Sequence, residues 1–403
     1  MVLVAAVQAS SVLGDVEANS ERFSRLCRKA AAGGAKIIVL PEAALTGYLS
    51  EDLRKSWHVE GRPLMRSHVT GTTFEAVDPV EDAVCVPGPL TASFCLLAQE
   101  LGVYISVPFV EKAELDGVTC YFNTVCLASP EGRIVAHYRK NNPWPYVDNA
   151  WITAGTEMAV AETPYGRVGL AICYDAHIML ERYWTKNLWA LLYSVAWVGE
   201  TELWFGKELP SRISRSGYHV IAANWSVPSA AVAAQWEEAG VDGYGHSSIY
   251  TAKGHRLARA QTHTGDFVLF AELPDADSAS RMDHPLPEAQ PDGGDANAFL
   301  GHWRSSFRGT MEEIKRRENG LEAVEVTGDQ NMPAGMVTWW TLGVPELGGS
   351  VEAWFQHRKD CLDPEDVSWE RARLEAISTS ELRLSFQEGS ELQGTLGTCL
   401  RIP

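Results

Sequence analysis

The feature that most constrains the fold is an alternation of short apolar runs and amphipathic stretches over about the first 270 residues. Val2–Gln8 and Lys36–Leu40 are typical of buried strands, and the segment from about Val16 to Ala32 between them is typical of a helix. Gly33-Gly34 ends that segment, as expected at a helix C-terminus. This order of elements predicts a layered α/β or α+β domain.

The same patterns predict further elements along this region. The predicted strands are Val103–Val107, Asn123–Ser129, Arg133–Arg139, Val168–Ile172, Ala190–Val195, Val220–Ala223, Ser247–Thr251 and Phe267–Ala271, with the second and third forming a hairpin. The predicted helices are Leu90–Leu101, about Ala176–Asn187 and Leu203–Ser216.

The composition changes between Pro274 and Asn297, where Pro, Asp, Gly, Ser and Ala dominate and apolar periodicity disappears. We therefore predict a main domain at 1–275, a linker at 276–298 and an accessory extension at 299–403. Strand-like runs such as Met336–Trp340, Val351–Phe355 and Leu382–Phe386 make the extension β-rich, with one mixed-charge helix at about Thr310–Asn319.

Charge and composition exclude several classes of protein. The formal net charge is −18 and no Lys/Arg cluster stands out, so we expect no binding to nucleic acid or to a membrane surface. No run of about 18 apolar residues is present, and MVLVAAVQAS at the N-terminus is typical of a strand rather than of a signal peptide. We expect a cytoplasmic protein with reduced thiols. None of the eight cysteines forms a C-x-x-C pair and the histidines lack metal-site spacing, so neither a metal nor a cofactor is predicted.

Three residues with the chemistry of a catalytic site each follow an apolar run. Glu42 follows KIIVLP, Lys140 follows RIVAHYR, and Cys173 follows VGLAI. Strand ends are where α/β folds gather functional groups, and a helix beginning near Cys173 would lower the pKa of its thiol. Each residue also has a structural interpretation, as a small core cysteine or as surface charges, and the pattern alone leaves both open.

The segments LPEAALTGY, HYRKNNPW, GLAICYDAH and GHSSIYTAKGHRLAR resemble, in order, four signature blocks of the nitrilase superfamily of carbon–nitrogen hydrolases. The resemblance covers about residues 1–275 and includes that family's Glu–Lys–Cys set. PWPYVDNAWITAG is most similar to the aliphatic amidase branch, and CYD to amidases rather than to nitrilases, which usually have Trp-Glu after the cysteine. The resemblance implies a four-layer α-β-β-α sandwich that forms a homo-oligomer.

The resemblance also implies roles for the residues. Glu42 would move the proton of the Cys173 thiol, and Lys140 with the Tyr174 backbone N–H would hold an oxyanion. Asp148 stands seven residues before Gly155, where the family commonly has a glutamate, so it is a fourth catalytic candidate. Tyr48, Trp144, Tyr174, His177 and Trp197 are candidates for binding the substrate.

Two further departures indicate an unusual substrate. His177 occupies a position where amidases for carboxylate-bearing substrates often have Arg, and the family's R-A-x-E-N-G block appears here as RISRSG at Arg212–Gly217. The main hypothesis is a thiol amidase that acts on a small neutral amide. The alternatives are a nitrile hydrolase, an amide-forming acyltransferase, or a catalytically inactive scaffold that recruits a partner.

Overall fold

The computed structural model divides the chain into two compact units, Met1–Met282 and Asp283–Pro403. The residues that it describes are 1–274 without 68–70, 80–82, 116, 145, 178–179, 181–182, 184–185, 200 and 239–243, and 298–401 without 306–310, 318–319, 326–336, 342–343, 348, 358–367, 379–380 and 387–395. Nearly all of the predicted linker lies outside these residues.

The first unit contains fourteen strands among its described residues. They are β1 Val2–Gln8, β2 Ile37–Val39, β3 Lys55–Trp57, β4 Glu75–Val77, β5 Tyr104–Leu115, β6 Val118–Ala128, β7 Ile134–Arg139, β8 Val160–Thr163, β9 Gly166–Ile172, β10 Ala190–Ser194, β11 His219–Ala223, β12 Ser248–Tyr250, β13 Arg256–Arg259 and β14 Phe267–Leu273. The helices are α1 Val16–Ala32, α2 Pro89–Leu101, α3 Thr201–Leu203, α4 Leu209–Ser216 and α5 Ala230–Glu238, with 3-10 turns at Asp148–Ala150 and Cys173–His177 and a π-helix at Trp204–Glu208.

Two six-stranded sheets form the centre of this unit. Their strand orders are β14-β1-β2-β5-β6-β7 and β13-β12-β11-β10-β9-β8. One apolar core contains side chains of both sheets, such as Val4 and Leu191, and continues to Leu209 and Ile213 of α4. A second core joins the first sheet to α1 and α2. The layers therefore follow the order α-β-β-α, which confirms the predicted fold class.

Parallel strand pairing brings chemistry-bearing residues to one edge of the two sheets. The parallel pairs are β1–β2, β2–β5, β9–β10 and β10–β11. Glu42 follows β2 and Cys173 follows β9, as expected for functional groups at the carboxyl ends of parallel strands. The β6–β7 hairpin is antiparallel, and Lys140 follows β7 directly.

The second unit is a closed antiparallel barrel, which confirms the predicted β-rich extension. Its strands are β15 Gly301–Ser305, β16 Met311–Arg317, β17 Gly320–Glu325, β18 Val337–Thr341, β19 Ser350–His357, β20 Ser368–Ser378, β21 Glu381–Phe386 and β22 Leu396–Arg401. Trp303, Trp339, Leu374 and Phe386 belong to its own apolar core.

One predicted helix is wrong. The mixed-charge run at about Thr310–Asn319 contains β16, because Ile314 is buried opposite Ala323 of β17 and cross-strand packing outweighs helix propensity. Of the helix predicted at about Ala176–Asn187, residues 178–179, 181–182 and 184–185 lie outside the described residues, and Ala176 and His177 belong to the 3-10 turn Cys173–His177. Among the described residues, no helix has the length and apolar character needed to cross a membrane.

Candidate active site

Glu42 lies at the centre of a buried polar cluster. Its Oε1 accepts hydrogen bonds from Lys140 Nζ at 2.9 Å and from Asn123 Nδ2 at 2.7 Å, and its Oε2 accepts one from the Ala196 N–H at 3.0 Å. Trp225 Nε1 also donates to the Glu42 carbonyl at 2.8 Å. The side chain is fully buried, and this burial raises the pKa of Glu42 although Lys140 lowers it. A carboxyl with a raised pKa is suited to receive and return a proton.

Two hydrogen bonds hold the backbone of Lys140 in place. Its N–H donates to Asn123 O, and its carbonyl accepts from the Gly155 N–H, both at 2.8 Å. Its ammonium group lies between two carboxylates, at 2.9 Å from Glu42 and 2.7 Å from Asp148. Burial lowers the pKa of Lys140, but the charges of Asp148 and Glu42 outweigh it and raise the pKa well above the usual value. Lys140 therefore stays charged.

Asp148 begins a 3-10 turn and is fully buried. Besides Lys140, its Oδ2 accepts from the Trp144 N–H at 2.7 Å, and its Oδ1 accepts from the Tyr48 hydroxyl at 2.6 Å. Tyr48 and Trp144, which were predicted to bind substrate, are thus partners of Asp148 in this structure. The Tyr48 ring also lies 5.8 Å from Lys140 Nζ.

Cys173 occupies the sharp turn that follows β9. Its φ of 43° lies in the left-handed region, which a non-glycine residue adopts only at an energetic cost and which is common at functional sites. The Tyr193 hydroxyl donates to the Cys173 carbonyl at 2.8 Å, and Asp175 binds the Ile172 N–H and the Tyr138 hydroxyl. These contacts hold the turn in place.

The expected lowering of the Cys173 thiol pKa is wrong. Burial and then the charge of Glu42 raise that pKa well above its usual value, although Lys140 lowers it. In the described residues, the turn that begins at Cys173 has five residues, which is too short for a strong helix dipole. The Ala196 N–H interacts both with Glu42 Oε2 and with the Cys173 sulfur, so the carboxyl oxygen and the sulfur share one hydrogen-bond donor. The raised pKa favours the thiol over the thiolate, and the shared Ala196 N–H places the Glu42 carboxyl next to it.

The other predicted substrate-binding residues form one aromatic group. His177 lies with its ring centroid 5.0 Å from Tyr174, 5.3 Å from Trp197 and 4.4 Å from Trp204, and the two tryptophans are stacked at 4.7 Å. All four side chains are buried. Arg212 donates to the His177 carbonyl at 2.9 Å, so the atypical RISRSG segment contributes to holding this group.

Three residues of the site were not predicted from the sequence: Asn123, Ala196 and Asn224. Asn123 binds Glu42, whereas Ala196 acts only through its backbone, so no side-chain pattern could have revealed it. Asn224 accepts from the Trp197 N–H at 2.8 Å and donates to the carbonyls of Trp197 and Gly245 at 3.1 and 2.7 Å. Its position directly after β11, at the same edge as Cys173, was the available signal. Among the described residues, no group of three or more His, Cys, Asp or Glu side chains could hold a metal ion.

The fold and this site define a class of protein. The "Carbon-nitrogen hydrolase" family matches residues 3–281, more than half of the chain, so the protein belongs to that family. It is 31% identical over 202 residues to an aliphatic nitrilase of Sinorhizobium fredii (strain HH103), a match that covers 50% of this chain and 61% of that protein. The chain thus spans less than two thirds of that relative.

Solved structures show the same fold. One is an amidase from Nesterenkonia sp. AN1 with the acetamide moiety of fluoroacetamide added covalently at its active site cysteine; its TM-score is 0.52 at 18% identity, over 69% of this chain and 92% of that one. The same amidase in complex with butyramide has a TM-score of 0.52 at 17% identity, over 68% and 91%.

Proposed function

We propose that the protein hydrolyses a small neutral amide through a thioester on Cys173. The observation that carries this proposal is the Ala196 N–H, which interacts with both Glu42 Oε2 and the Cys173 sulfur, while Lys140 Nζ lies 2.9 Å from Glu42 Oε1. A thiol is a weak nucleophile until a neighbouring base takes its proton. Glu42 is that base.

The reaction follows from this geometry in two halves. Glu42 takes the thiol proton while the Cys173 sulfur bonds to the amide carbon, and the charge that develops on the carbonyl oxygen is stabilised by Lys140 and the Tyr174 backbone N–H. Glu42 then gives the proton to the nitrogen, which leaves as ammonia or an amine, and a thioester remains. Water attacks the thioester, Glu42 receives its proton and returns it to the sulfur, and the acid is released.

Asp148 positions Lys140 in this proposal. Lys140 has one positive charge between two carboxylates, so the formal charge of the three side chains is −1 when both are ionised. A negative site repels a carboxylate on the substrate, which supports a neutral amide.

A nitrile is the second candidate, supported by the 31% identity to an aliphatic nitrilase. Acyl transfer to an amine and an inactive scaffold are the remaining hypotheses. The test is ammonia release from a panel of short neutral amides, including butyramide, and the matching nitriles, with Cys173→Ala as control. Acid and ammonia from amides alone support the proposal, ammonia from nitriles alone supports the second candidate, and a new amide formed with added amine indicates acyl transfer. No reaction in any arm would contradict an enzymatic role.

A further inference from the structure

Tyr244 carries a buried hydroxyl that has no hydrogen-bond partner among the described residues. Its side chain is only 1% exposed. A buried hydroxyl without a partner lowers the stability of the fold, and such groups are rare in native proteins. A Tyr at this position therefore needs an explanation beyond packing, since Phe would fill the same space without that cost.

The hydroxyl belongs to the surroundings of the candidate active site. Tyr244 interacts electrostatically with both Glu42 and Cys173. Its ring packs at 5.4 Å against Trp225, whose Nε1 donates to the Glu42 carbonyl. The Trp236 ring packs edge-on against the Tyr244 ring, with the ring centroids 5.3 Å apart. The position of the ring relative to Glu42 is thus fixed by aromatic packing.

Asn224 ties the backbone beside Tyr244 to the segment that carries Trp197. It donates to the Gly245 carbonyl and to the Trp197 carbonyl, and it accepts from the Trp197 N–H. Trp197 Nε1 is a second buried polar atom without a partner among the described residues. The Tyr244 hydroxyl and Trp197 Nε1 thus lie on two segments that the Asn224 side chain links by hydrogen bonds. Trp197 directly follows Ala196, whose N–H contacts Glu42.

We propose that the Tyr244 hydroxyl donates a hydrogen bond to an uncharged acceptor atom in the acyl part of the substrate, and so selects neutral amides that carry such an atom. This inference rests on the proposed amide chemistry and names a specificity residue for it. Burial raises the pKa of Tyr244, so the phenol keeps its proton and acts as a neutral donor. An uncharged oxygen fits this donor, because the negative cluster nearby disfavours an anionic substrate.

The test compares isosteric amides with and without an ether oxygen. Methoxyacetamide is matched with butyramide, and 3-methoxypropionamide with pentanamide, so that each pair differs by one oxygen in place of one methylene. In Tyr244→Phe, kcat/KM for at least one ether amide is expected to fall about three- to tenfold relative to its matched partner, the size of one neutral hydrogen bond. The loss is expected in KM with kcat little changed, because the contact does not involve the reacting atoms.

Tyr250→Phe is the matched control, since its hydroxyl does have a partner, the Phe205 carbonyl at 2.5 Å. Tyr250→Phe is expected to lower the melting temperature and leave the preference between paired amides unchanged. Tyr244→Phe is expected to leave the melting temperature unchanged or higher, because no internal hydrogen bond is lost. If Tyr244→Phe changes both members of each pair equally, or changes neither, the proposal is wrong.

A binding measurement separates this proposal from the proposed function. Calorimetric titration of Cys173→Ala, with and without Tyr244→Phe, reports the affinity for the same four amides without turnover. A preference for an ether amide that disappears in the double variant supports the Tyr244 contact even if the wild type hydrolyses no amide. If none of the four amides binds Cys173→Ala, the assignment of this substrate class to Tyr244 is wrong.

Discussion

Lys140 and Asp148 are eight residues apart in the chain, and their side chains meet in a fully buried contact of 2.7 Å between Nζ and Oδ2. The family commonly has a glutamate at this place, and an aspartate carboxylate lies one C–C bond nearer to its own backbone. Asp148 nevertheless contacts Lys140 directly from the start of the 3-10 turn Asp148–Ala150, and the Trp144 N–H donates to the same carboxylate oxygen.

This contact predicts the behaviour of three variants of Asp148. Asp148→Ala leaves Lys140 and the Tyr48 hydroxyl without their shared acceptor, so kcat is expected to fall about 100-fold or more, as for a catalytic group displaced by about 1 Å. Asp148→Asn keeps the shape but removes the charge, and we expect an intermediate loss. Asp148→Glu is expected to be impaired because its extra methylene enters a fully buried site. The measurement is kcat and KM on one accepted amide; near-wild-type kcat in both the Ala and Asn variants would remove Asp148 from the site.

Cys173→Ala is expected to abolish turnover and leave the fold intact, because the proposed covalent step needs its sulfur. Intact-mass spectra of the wild type with a slow amide are expected to show one acyl adduct, which Cys173→Ala lacks. Cys126→Ala is the control, since Cys126 is also buried and its thiol pKa is raised, yet it lies within β6. An active Cys173→Ala protein, or an adduct that persists in it, would contradict the proposed mechanism.

The raised pKa of Glu42 predicts the pH dependence of the reaction. Below that pKa, Glu42 is protonated and cannot accept the thiol proton, so kcat/KM rises with pH through a midpoint above 4.5, the ordinary value for a glutamate. The raised pKa of Lys140 keeps its ammonium charged across the neutral range, so no loss of rate from Lys140 is expected up to about pH 9. The measurement is kcat/KM from pH 4 to 9. Glu42→Gln is expected to be about 1,000-fold slower than the wild type above that midpoint, with a smaller difference below it. A wild-type midpoint below 4.5 would contradict the assignment.

Much of the fold could be predicted because buried strands leave a clear apolar pattern. β1 begins and ends at the predicted residues, and β9, β10 and β11 differ from the prediction by one or two residues at an end. The strand β16 was predicted as a helix because its alternating charges fit either structure, although Asn319-Gly320 after it is a known hairpin signal.

The candidate site could be predicted only in part. The structure brings Glu42, Lys140 and Asp148 into contact, and their catalytic roles stay predictions. The direction of the shift in the Cys173 thiol pKa was predicted wrongly. The burial of Cys173 causes this shift, and burial results from the packing of sheets and helices, which a local sequence pattern does not show. The Ala196 N–H could not be found, since it is a backbone group without a side-chain pattern. Asn224 had a signal in its position after β11, but its bonds to Trp197 depend on the parallel pairing of β10 and β11.

The close packing of Gly155 against the end of β7 allows a test of how far the site depends on the position of the Lys140 backbone. A Cβ at Gly155 would lie 2.2 Å from the Arg139 carbonyl oxygen and 2.8 Å from its carbon, both of which are backbone atoms that cannot give way cheaply. Gly155→Ala is therefore expected to move the Lys140 backbone, with a loss of about 1–3 kcal/mol in stability and about 100-fold in kcat. Gly117→Ala, where no atom lies within 4 Å, is the control and is expected to cost stability only through its φ of +78°. Full activity in Gly155→Ala would show that Lys140 tolerates displacement.

We expect deletion of the C-terminal barrel to change the stability or the oligomeric state of the protein before it changes the reaction at Cys173. The catalytic candidates all belong to the first unit, and the described residues of the barrel form an apolar core of their own around Trp303 and Trp339. A protein that ends at Met282 is therefore expected to fold, to keep the wild-type acyl adduct on Cys173, and to differ from the full chain in melting temperature or in oligomeric state. Circular dichroism, light scattering and single-turnover labelling measure these three properties. If the shortened protein keeps the melting temperature and oligomeric state of the full chain but forms no adduct, the barrel has a part in catalysis and this assignment is wrong.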